Sequence, residues 1–273
     1  MINHKTSLAI DDALVSIKRS PSAELSDRFE YSADDVERKN TIEVVSSGNL
    51  SDVMNLYEHF LDNPQNISDY NNNQFYGKLR SLILDSNEIN VFLKYAEKNN
   101  KHPNYSYITR KCSTKLILNS YYEGNNDFEF TLGGFSFNDF LGGLFSSKDR
   151  PLNVLVRGDV GDCFASNSDN LNIILEGNCG KLFARYSNNI SIMVNGDVDD
   201  IFAISSKHIS AIIKGKIKGS SFGSYAENLT AFVHDKRRGD YESMGRTVLS
   251  GSDVVNHPKY KEIMQNLNAR FRE

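Results

Sequence analysis

The stretch GDVGDCFASNSDNLNIILEGNCGKLFA, residues 158–184, contains one pattern twice. Two glycines three residues apart, Gly158 and Gly161, recur 19 residues later as Gly177 and Gly180. A glycine pair beside acidic residues would also suit a phosphate-binding loop. Such a loop occurs once, between a strand and a helix, and ends in Lys-Ser or Lys-Thr, which GKLF lacks. We therefore interpret the glycines as corners of a repeating structure that need a positive φ or a close backbone approach.

The 19-residue period continues through the second half of the chain in three columns of like residues. The columns are Gly158, Gly177, Gly196 and Gly215; Phe145, Phe164, Phe183, Phe202 and Phe222; and Leu152, Leu171, Ile190, Ile209 and Leu229. One inserted residue explains why Phe222 and Leu229 come one residue late. A short β-rich run in each repeat predicts a single-stranded parallel β-helix, a solenoid whose coils stack about 4.8 Å apart.

Each predicted strand alternates between two faces. The positions equivalent to Leu171, Ile173 and Leu175 are apolar in every repeat, which predicts that they point inward. We expect the phenylalanines to stack inside beside a column of small residues, and a polar column to face water. The small column is Ser146, Ala165, Ala184, Ala203 and Gly223, and the polar column is Asn153, Asn172, Ser191, Ser210 and Thr230. A further column, Asn170, Asn189, His208 and Asn228, predicts a ladder of stacked turns with one exception, the histidine.

The cysteines and histidines predict neither a disulfide nor a metal site. The column of Cys163 also contains Leu144, Leu182 and Ile201, and that of Cys179 contains Val160, Val198 and Ile217. Both cysteines are therefore interpreted as small core residues, and Cys112 as a buried residue of the helical half. No histidine pair has metal-ligand spacing on one helix face, and no serine lies in a Gly-x-Ser-x-Gly elbow. We expect no catalytic residue, metal or cofactor.

The periodicity divides the chain into three parts. Residues 1–126 predict an α-helical domain, because apolar residues such as Val53, Leu56 and Phe60 recur at helical spacing. Residues 127–251 predict the parallel β-helix, with five or six coils. Residues 252–273 predict a C-terminal helix that caps or flanks the C-terminal end of the solenoid through Ile263 and Leu267. The fold class is therefore a multidomain α+β protein.

Composition narrows the classes of function. The 273 residues carry a formal net charge of −4, so we expect no general attraction to nucleic acid or anionic membranes. The basic runs KGKIKG and DKRRGD have no interleaved aromatic residues, and we interpret them as exposed loops. The first residues lack the apolar core of a secretory signal, and no window reaches the ~18 apolar residues that span a bilayer. With three cysteines, an odd number, the sequence predicts a cytoplasmic protein.

The segment GNCGKLFARYSNNISIMVNGDVDDIFA, residues 177–203, is similar to the GXGXG β-helix family. It has the family's glycine, small apolar residue, glycine and charged residue, then an aromatic-small pair and a strand. GDYESMGRTVLSG, residues 239–251, resembles the family's Tyr-Met segment, whereas Asp199 replaces the second glycine of one coil. The family's domain forms the C-terminal part of the glutamate synthase large subunit and much of one formylmethanofuran dehydrogenase subunit. In the former it looks like a spacer, so the resemblance implies a fold and no activity.

One outward column of the predicted solenoid is a candidate interface. It consists of Leu155, Ile174, Met193, Ile212 and Phe232, which lie between the inward positions. Five stacked apolar side chains that face outward make a patch that must be covered. We expect the N-terminal helices of the same chain to cover it; the alternative is a protein partner or self-association.

One corner of neighbouring coils gathers charged side chains and is an alternative site. It contains Asp159, Asp162, Asp197, Asp199 and Asp200, with Lys181 and Arg185 nearby. Polysaccharide-cleaving β-helices carry acids and bases on an outer face, sometimes with calcium. Sugar sites also need exposed aromatic residues; the chain has no Trp, and Tyr186 and Tyr225 are the candidates in the solenoid. The simpler interpretation is a solvated corner that discourages end-to-end association.

These observations favour a non-catalytic function. The preferred hypothesis is a scaffold or protein-interaction protein that is part of a larger assembly. The first alternative is a protein that binds or cleaves a polysaccharide through the acidic corner. The second, which follows from the family resemblance, is an accessory subunit of an amidotransferase-type enzyme complex.

Overall fold

The computed structural model describes residues 48–64, 73–132, 138, 140–219, 221–234, 246–250 and 255–270. Its elements are α1 Gly48–Asp62, α2 Asn73–Arg80, α3 Ser86–Glu97, α4 Tyr105–Tyr122, β1 Asp127–Thr131, β2 Leu152–Arg157, β3 Asp169–Glu176, β4 Asn188–Val194, β5 Lys207–Ile213, β6 Glu227–Val233, β7 Arg246–Ser250 and α5 Pro258–Arg270. The basic run at 236–238 and residues 239–245 of the segment that resembles the family's Tyr-Met segment lie outside the described residues.

The seven strands form one parallel sheet in chain order. Leu152 pairs with Leu171, and the next three strands keep the same register, with one extra residue in the last step. Four regular coils therefore stack as the period predicts. The first and last coils, from β1 to β2 and from β6 to β7, differ in length from the regular ones. The parallel solenoid, with helices before it and a helix after it, is confirmed.

The glycine column marks a close approach between successive coils. A Cβ atom on Gly177, Gly196 or Gly215 would collide with the carbonyl oxygen of the glycine one coil earlier. In this column only Gly158 has a positive φ, 111°. Close backbone approach, rather than a left-handed conformation, is therefore why three of the four positions need glycine.

The corner that follows each glycine uses left-handed residues other than glycine. Cys163, Ala165, Asn167 and Asn170 have φ values between 53° and 60°, and their equivalents in the next coils share this conformation. The conformation costs a non-glycine residue about 1 kcal/mol or more. Hydrogen bonds between coils offset this cost: the Cys163 amide donates to the Lys181 carbonyl at 2.7 Å, for example. The same corner geometry leaves Cys163 half-buried, so its predicted place in the core is wrong.

Buried serines hold the coils together at the end of this corner. Ser168, Ser187 and Ser206 are at most 1% exposed. The Ser168 amide donates to Ser187 Oγ and the Ser187 amide to Ser206 Oγ, both at 3.2 Å. Each hydroxyl in turn donates to a carbonyl of the preceding coil, as Ser187 Oγ does to the Ala165 carbonyl at 2.8 Å. Because these hydroxyls both donate and accept, they can be buried at little cost and act as structural groups.

The internal aromatic column begins at Phe140 rather than at Phe145. The centroids of successive rings in Phe140, Phe164, Phe183, Phe202 and Phe222 lie 4.7–6.2 Å apart. Phe145 is 53% exposed and pairs with Asp169. The first coil has additional residues between Ser146 and Leu152, so a count of 19 residues back from Phe164 ends at the wrong phenylalanine. Ser146 is displaced from the small column for the same reason, and its hydroxyl bonds the Asn170 carbonyl at 2.6 Å.

The polar column of the sheet is a hydrogen-bonded ladder at its first coils. Asn153 is 2% exposed, so its predicted contact with water is wrong. Its Nδ2 donates to Asp127 Oδ1, and its Oδ1 accepts from Asn172 Nδ2 at 2.7 Å. The predicted ladder of stacked turns is also present: Asn189 Nδ2 donates to Asn170 Oδ1 at 2.7 Å. His208 has the same left-handed φ as the asparagines of that ladder.

The N-terminal helices close the first edge of the sheet. On α3, Ser86 Oγ accepts from the Glu129 amide at 2.9 Å, and Asn90 Oδ1 accepts from the Thr131 amide at 3.1 Å. Ser86 and Asn90 are one helical turn apart, so both reach amides of β1 that do not pair with β2. The helices and the solenoid interior share one hydrophobic cluster. The helical part thus covers the open end that a solenoid must protect.

The aromatic column predicts that two substitutions in adjacent coils lower the free energy of unfolding by very different amounts. Phe183→Ala should lower the free energy of unfolding by ~3–5 kcal/mol, because the rings of Phe164 and Phe202 cannot fill the cavity. Asn172→Ala should cost well under that, since Asn172 is half-buried on the outer face. Urea denaturation of the two variants and the wild type measures both values. Equal losses would contradict the assignment of the column to the interior.

Candidate functional site

The outward apolar column is covered by the C-terminal helix. Ile174, Met193, Ile212 and Phe232 are between 1% and 6% exposed, and Leu155 is half-buried. They pack in one cluster with Ile263 and Leu267 of α5, two residues on one face of the helix. Ile263 and Leu267 are contact residues, as predicted, but they pack on the face of the sheet from β3 to β6 and not as a cap on the C-terminal end of the solenoid.

The expectation that the N-terminal helices cover this column is wrong. Those helices are held at β1 by the hydrogen bonds of Ser86 and Asn90, at the end of the solenoid rather than on its sheet face. Helix α5 instead follows β7 and lies across the face of the sheet, with Tyr260 edge-on to the ring of Phe232 at 5.5 Å. The chain therefore supplies its own cover for the candidate interface.

The aspartates of the acidic corner are bonded to backbone amides. Asp159 Oδ1 accepts from the Asn178 amide at 2.7 Å, and Asn178 Oδ1 accepts from the Asp197 amide at 2.8 Å. Asp197 Oδ1 continues the series with the Lys216 amide at 2.8 Å. A second series joins Asp162 Oδ1 to the Lys181 amide at 2.8 Å. Each of these bonds links one coil to the next.

Asp199 and Asp200 make shorter-range bonds of the same type. Asp199 Oδ1 accepts from the Asp200 amide, and Asp200 Oδ1 accepts from the Ile201 amide, both at 2.9 Å. Asp200 Oδ1 also lies 3.2 Å from the Ser221 amide. The aspartates of this corner are therefore used to close turns and to join coils.

The electrostatics of Asp197 agree with a structural role. The hydrogen bond from the Lys216 amide is the main reason that the pKa of Asp197 is lowered from its usual value, and the Lys218 ammonium 3.4 Å away adds to it. A general acid in glycoside hydrolysis needs a raised pKa. Asp197 is thus set up to stay ionised and accept hydrogen bonds.

The basic residues expected at this corner do not converge on the aspartates. The Arg185 guanidinium lies 4.3 Å from the ring centroid of Tyr186, and its Nη2 donates to the Tyr186 hydroxyl at 2.9 Å. The Lys181 side chain is exposed, and only its backbone amide bonds an aspartate. The side chains of Lys181 and Arg185 therefore do not form one cluster with the five aspartates.

Two exposed tyrosines share one edge of the solenoid. Tyr186 is 51% exposed and Tyr225 is 78% exposed. Both have the left-handed φ of the position that Ser205 occupies in the coil between them. Since Tyr186 and Tyr225 are two coils apart, their Cα atoms are separated by about 10 Å along the solenoid axis. We call these two residues the tyrosine pair.

The three cysteines differ in burial, and burial limits the reactivity of a thiol. No disulfide joins Cys163, which is half-buried, to the buried Cys179 or Cys112. Burial raises the pKa of the Cys112 thiol, and burial together with the Asp162 and Asp199 carboxylates raises that of Cys179. Within the described part of the chain, no group of three His, Cys, Asp or Glu side chains could hold a metal ion.

One feature that sequence reasoning missed is an open cleft of about 820 Å³ in the helical part. Its walls come from the end of α2, the segment after it and the C-terminal half of α4. Arg80 and Lys115 line it together with Ile83, Asn119 and Tyr122. The sequence carried no signal for it, because these residues belong to separate helices without a repeat.

Comparison of the chain with protein-family models, curated proteins and solved structures found no match. The resemblance to the GXGXG β-helix family therefore remains a prediction. Among the described residues, no helix combines the length and apolar character that crossing a bilayer requires.

The contact of α5 with the sheet predicts the effect of a charge at its centre. Met193→Glu should detach α5, because an unpaired carboxylate in this cluster would cost several kcal/mol unless the contact opens. Hydrogen exchange of the full chain should show lost protection in α5, with α1 and α4 unchanged. Ser191→Glu, on the same strand but at a half-buried position outside the cluster, should leave α5 protected. Lost protection in α1 and α4 instead would contradict the assigned contact.

Proposed function

We propose that this chain is a non-catalytic scaffold, a rigid solenoid that holds a protein partner in a larger assembly. The observation that carries the proposal is that aspartate side chains of the acidic corner form hydrogen bonds within the solenoid. Asp159, Asp162 and Asp197 each bond the backbone of the next coil, so the side chains best suited to chemistry in the solenoid serve its stability.

The distribution of apolar surface supports the same function. Helices α1 to α4 close one end of the sheet, and α5 covers the outward column. Large aromatic side chains nevertheless stay exposed at the tyrosine pair. Tyrosine is enriched in protein interfaces, because its ring contributes apolar contact area at a small cost in conformational entropy. We therefore place the partner-binding surface at the tyrosine pair, Tyr186 and Tyr225.

Affinity capture from the source organism, with quantitative mass spectrometry, tests the proposal. The wild-type chain should retain a partner in a fixed ratio, and the double variant Tyr186→Ser, Tyr225→Ser should lose it while its melting temperature stays unchanged. Tyr107→Ser provides a matched control, because Tyr107 is an exposed tyrosine of α4, outside the solenoid. A measurable reaction that Asp162→Asn or Asp199→Asn abolishes would overturn the non-catalytic function.

A polysaccharide ligand is the second candidate, and the tyrosine pair is the observation that favours it. Two exposed tyrosines whose Cα atoms lie about 10 Å apart along the solenoid axis would present their rings to alternate sugars of an extended chain. The function would then be binding rather than cleavage, because the aspartates are engaged in backbone hydrogen bonds. Gel electrophoresis through soluble polysaccharides separates the candidates: retardation that the double tyrosine variant abolishes supports the polysaccharide.

The third candidate, an accessory subunit of an amidotransferase-type complex, depends on the family resemblance alone. It is a special case of the scaffold, in which the captured partner would be an enzyme subunit. Identification of the retained protein in the capture experiment distinguishes it from other assemblies.

A further inference from the structure

The cleft of the helical part has the size of a small-molecule site. Its volume of about 820 Å³ lies within the range of ligand pockets, roughly 300–1,000 Å³. It is lined by residues of the helical part and by neither residue of the tyrosine pair. A ligand bound in it would therefore be separate from the partner proposed above.

Neither of the two cations that line the cleft forms an ion pair with a carboxylate that the structure describes. Arg80 and Lys115 both belong to its wall, and no described carboxylate, Glu123 of the same wall included, lies within 4.0 Å of either cationic group. Burial, and then the positive charge of Arg80, lower the pKa of the Lys115 ammonium from its usual value. The two like charges repel each other, and an anion bound between them would reduce the repulsion.

The rest of the wall combines a hydrogen-bonded amide with exposed hydrophobic side chains. Asn119 Nδ2 donates to the carbonyls of Leu79 at 2.6 Å and Leu82 at 3.0 Å, which ties α4 to the end of α2. Ile83 is 38% exposed and Tyr122 is 67% exposed, although both are large hydrophobic side chains. A preformed cleft with an apolar wall and a few charged groups is typical of a site for a small organic molecule.

We infer that this cleft binds a phosphate monoester of an apolar or aromatic alcohol. The phosphate, with nearly two negative charges at neutral pH, matches the two cations Arg80 and Lys115. The organic part lies against Ile83 and Tyr122. A carboxylate carries one charge and should bind more weakly at the same position.

Titration calorimetry and NMR of the full chain with phenyl phosphate test this inference. Phenyl phosphate should shift the side-chain amide resonances of Asn119 and bind more tightly than benzoate, and its affinity should fall as NaCl is added. Arg80→Gln and Lys115→Gln should each weaken binding by about tenfold, the loss of one charge-assisted hydrogen bond. Lys78→Gln removes an equal charge from the same helix outside the cleft and should change the affinity by less than about twofold.

Tyr122→Ser tests the contribution of the organic part of the ligand to binding separately from that of the phosphate. It should weaken phenyl phosphate several-fold and leave inorganic phosphate unchanged, because Tyr122 contacts only the organic part. Because Tyr122 and Arg80 are exposed, Tyr122→Ser and Arg80→Gln should leave the fold intact. These two variants therefore test the inference even where Lys115→Gln alters folding. Absence of a shift at Asn119, or equal losses in Lys78→Gln and Arg80→Gln, would overturn the inference.

Discussion

The stacking of each coil directly on the one before it, at the spacing of two paired strands, is the constraint on which the rest of the structure depends. It places equivalent residues of successive coils above one another, so the residues of one column must be able to contact each other. Gly177 and Gly196 meet this condition by having no side chain where two backbones approach. Phe183 meets it by packing between two rings. Ser187 Oγ meets it by accepting from the Ser168 amide and donating to the Ala165 carbonyl of the preceding coil.

The same constraint determines how the polar corner side chains are used. In a stacked coil, a side-chain oxygen that follows the glycine lies next to the amide of the equivalent residue in the following coil. Asp159, Asn178 and Asp197 all make this bond, and the series ends at Lys216, which needs only to donate its amide. A corner built in this way presents carboxylates at the surface without gathering them around a substrate. This is the structural basis for preferring a scaffold to a glycan-cleaving enzyme.

The sequence predicted those parts of the fold that the repeat encodes. Inward positions such as Ile173 could be predicted because equal spacing means equal environment in a solenoid. Phe145 was misplaced because additional residues in the first coil break the count. The cover of Met193 by α5 could not be predicted, since no local pattern specifies which helix packs on which face. Asp159 and Asp197, each directly after a glycine of the repeat, were visible in the sequence. They were interpreted as part of a charged corner rather than as hydrogen-bonding positions.

The central claim is that the corner aspartates bond backbone amides of the next coil, and amide hydrogen exchange at single-residue resolution tests it most directly. The account predicts that the Lys181 and Lys216 amides exchange slowly although both side chains are exposed. Asp162→Ala should then accelerate exchange at Lys181 alone, and Asp197→Ala at Lys216 alone. Fast exchange at both amides in the wild-type protein would contradict the account, because it would leave the carboxylates available for a ligand.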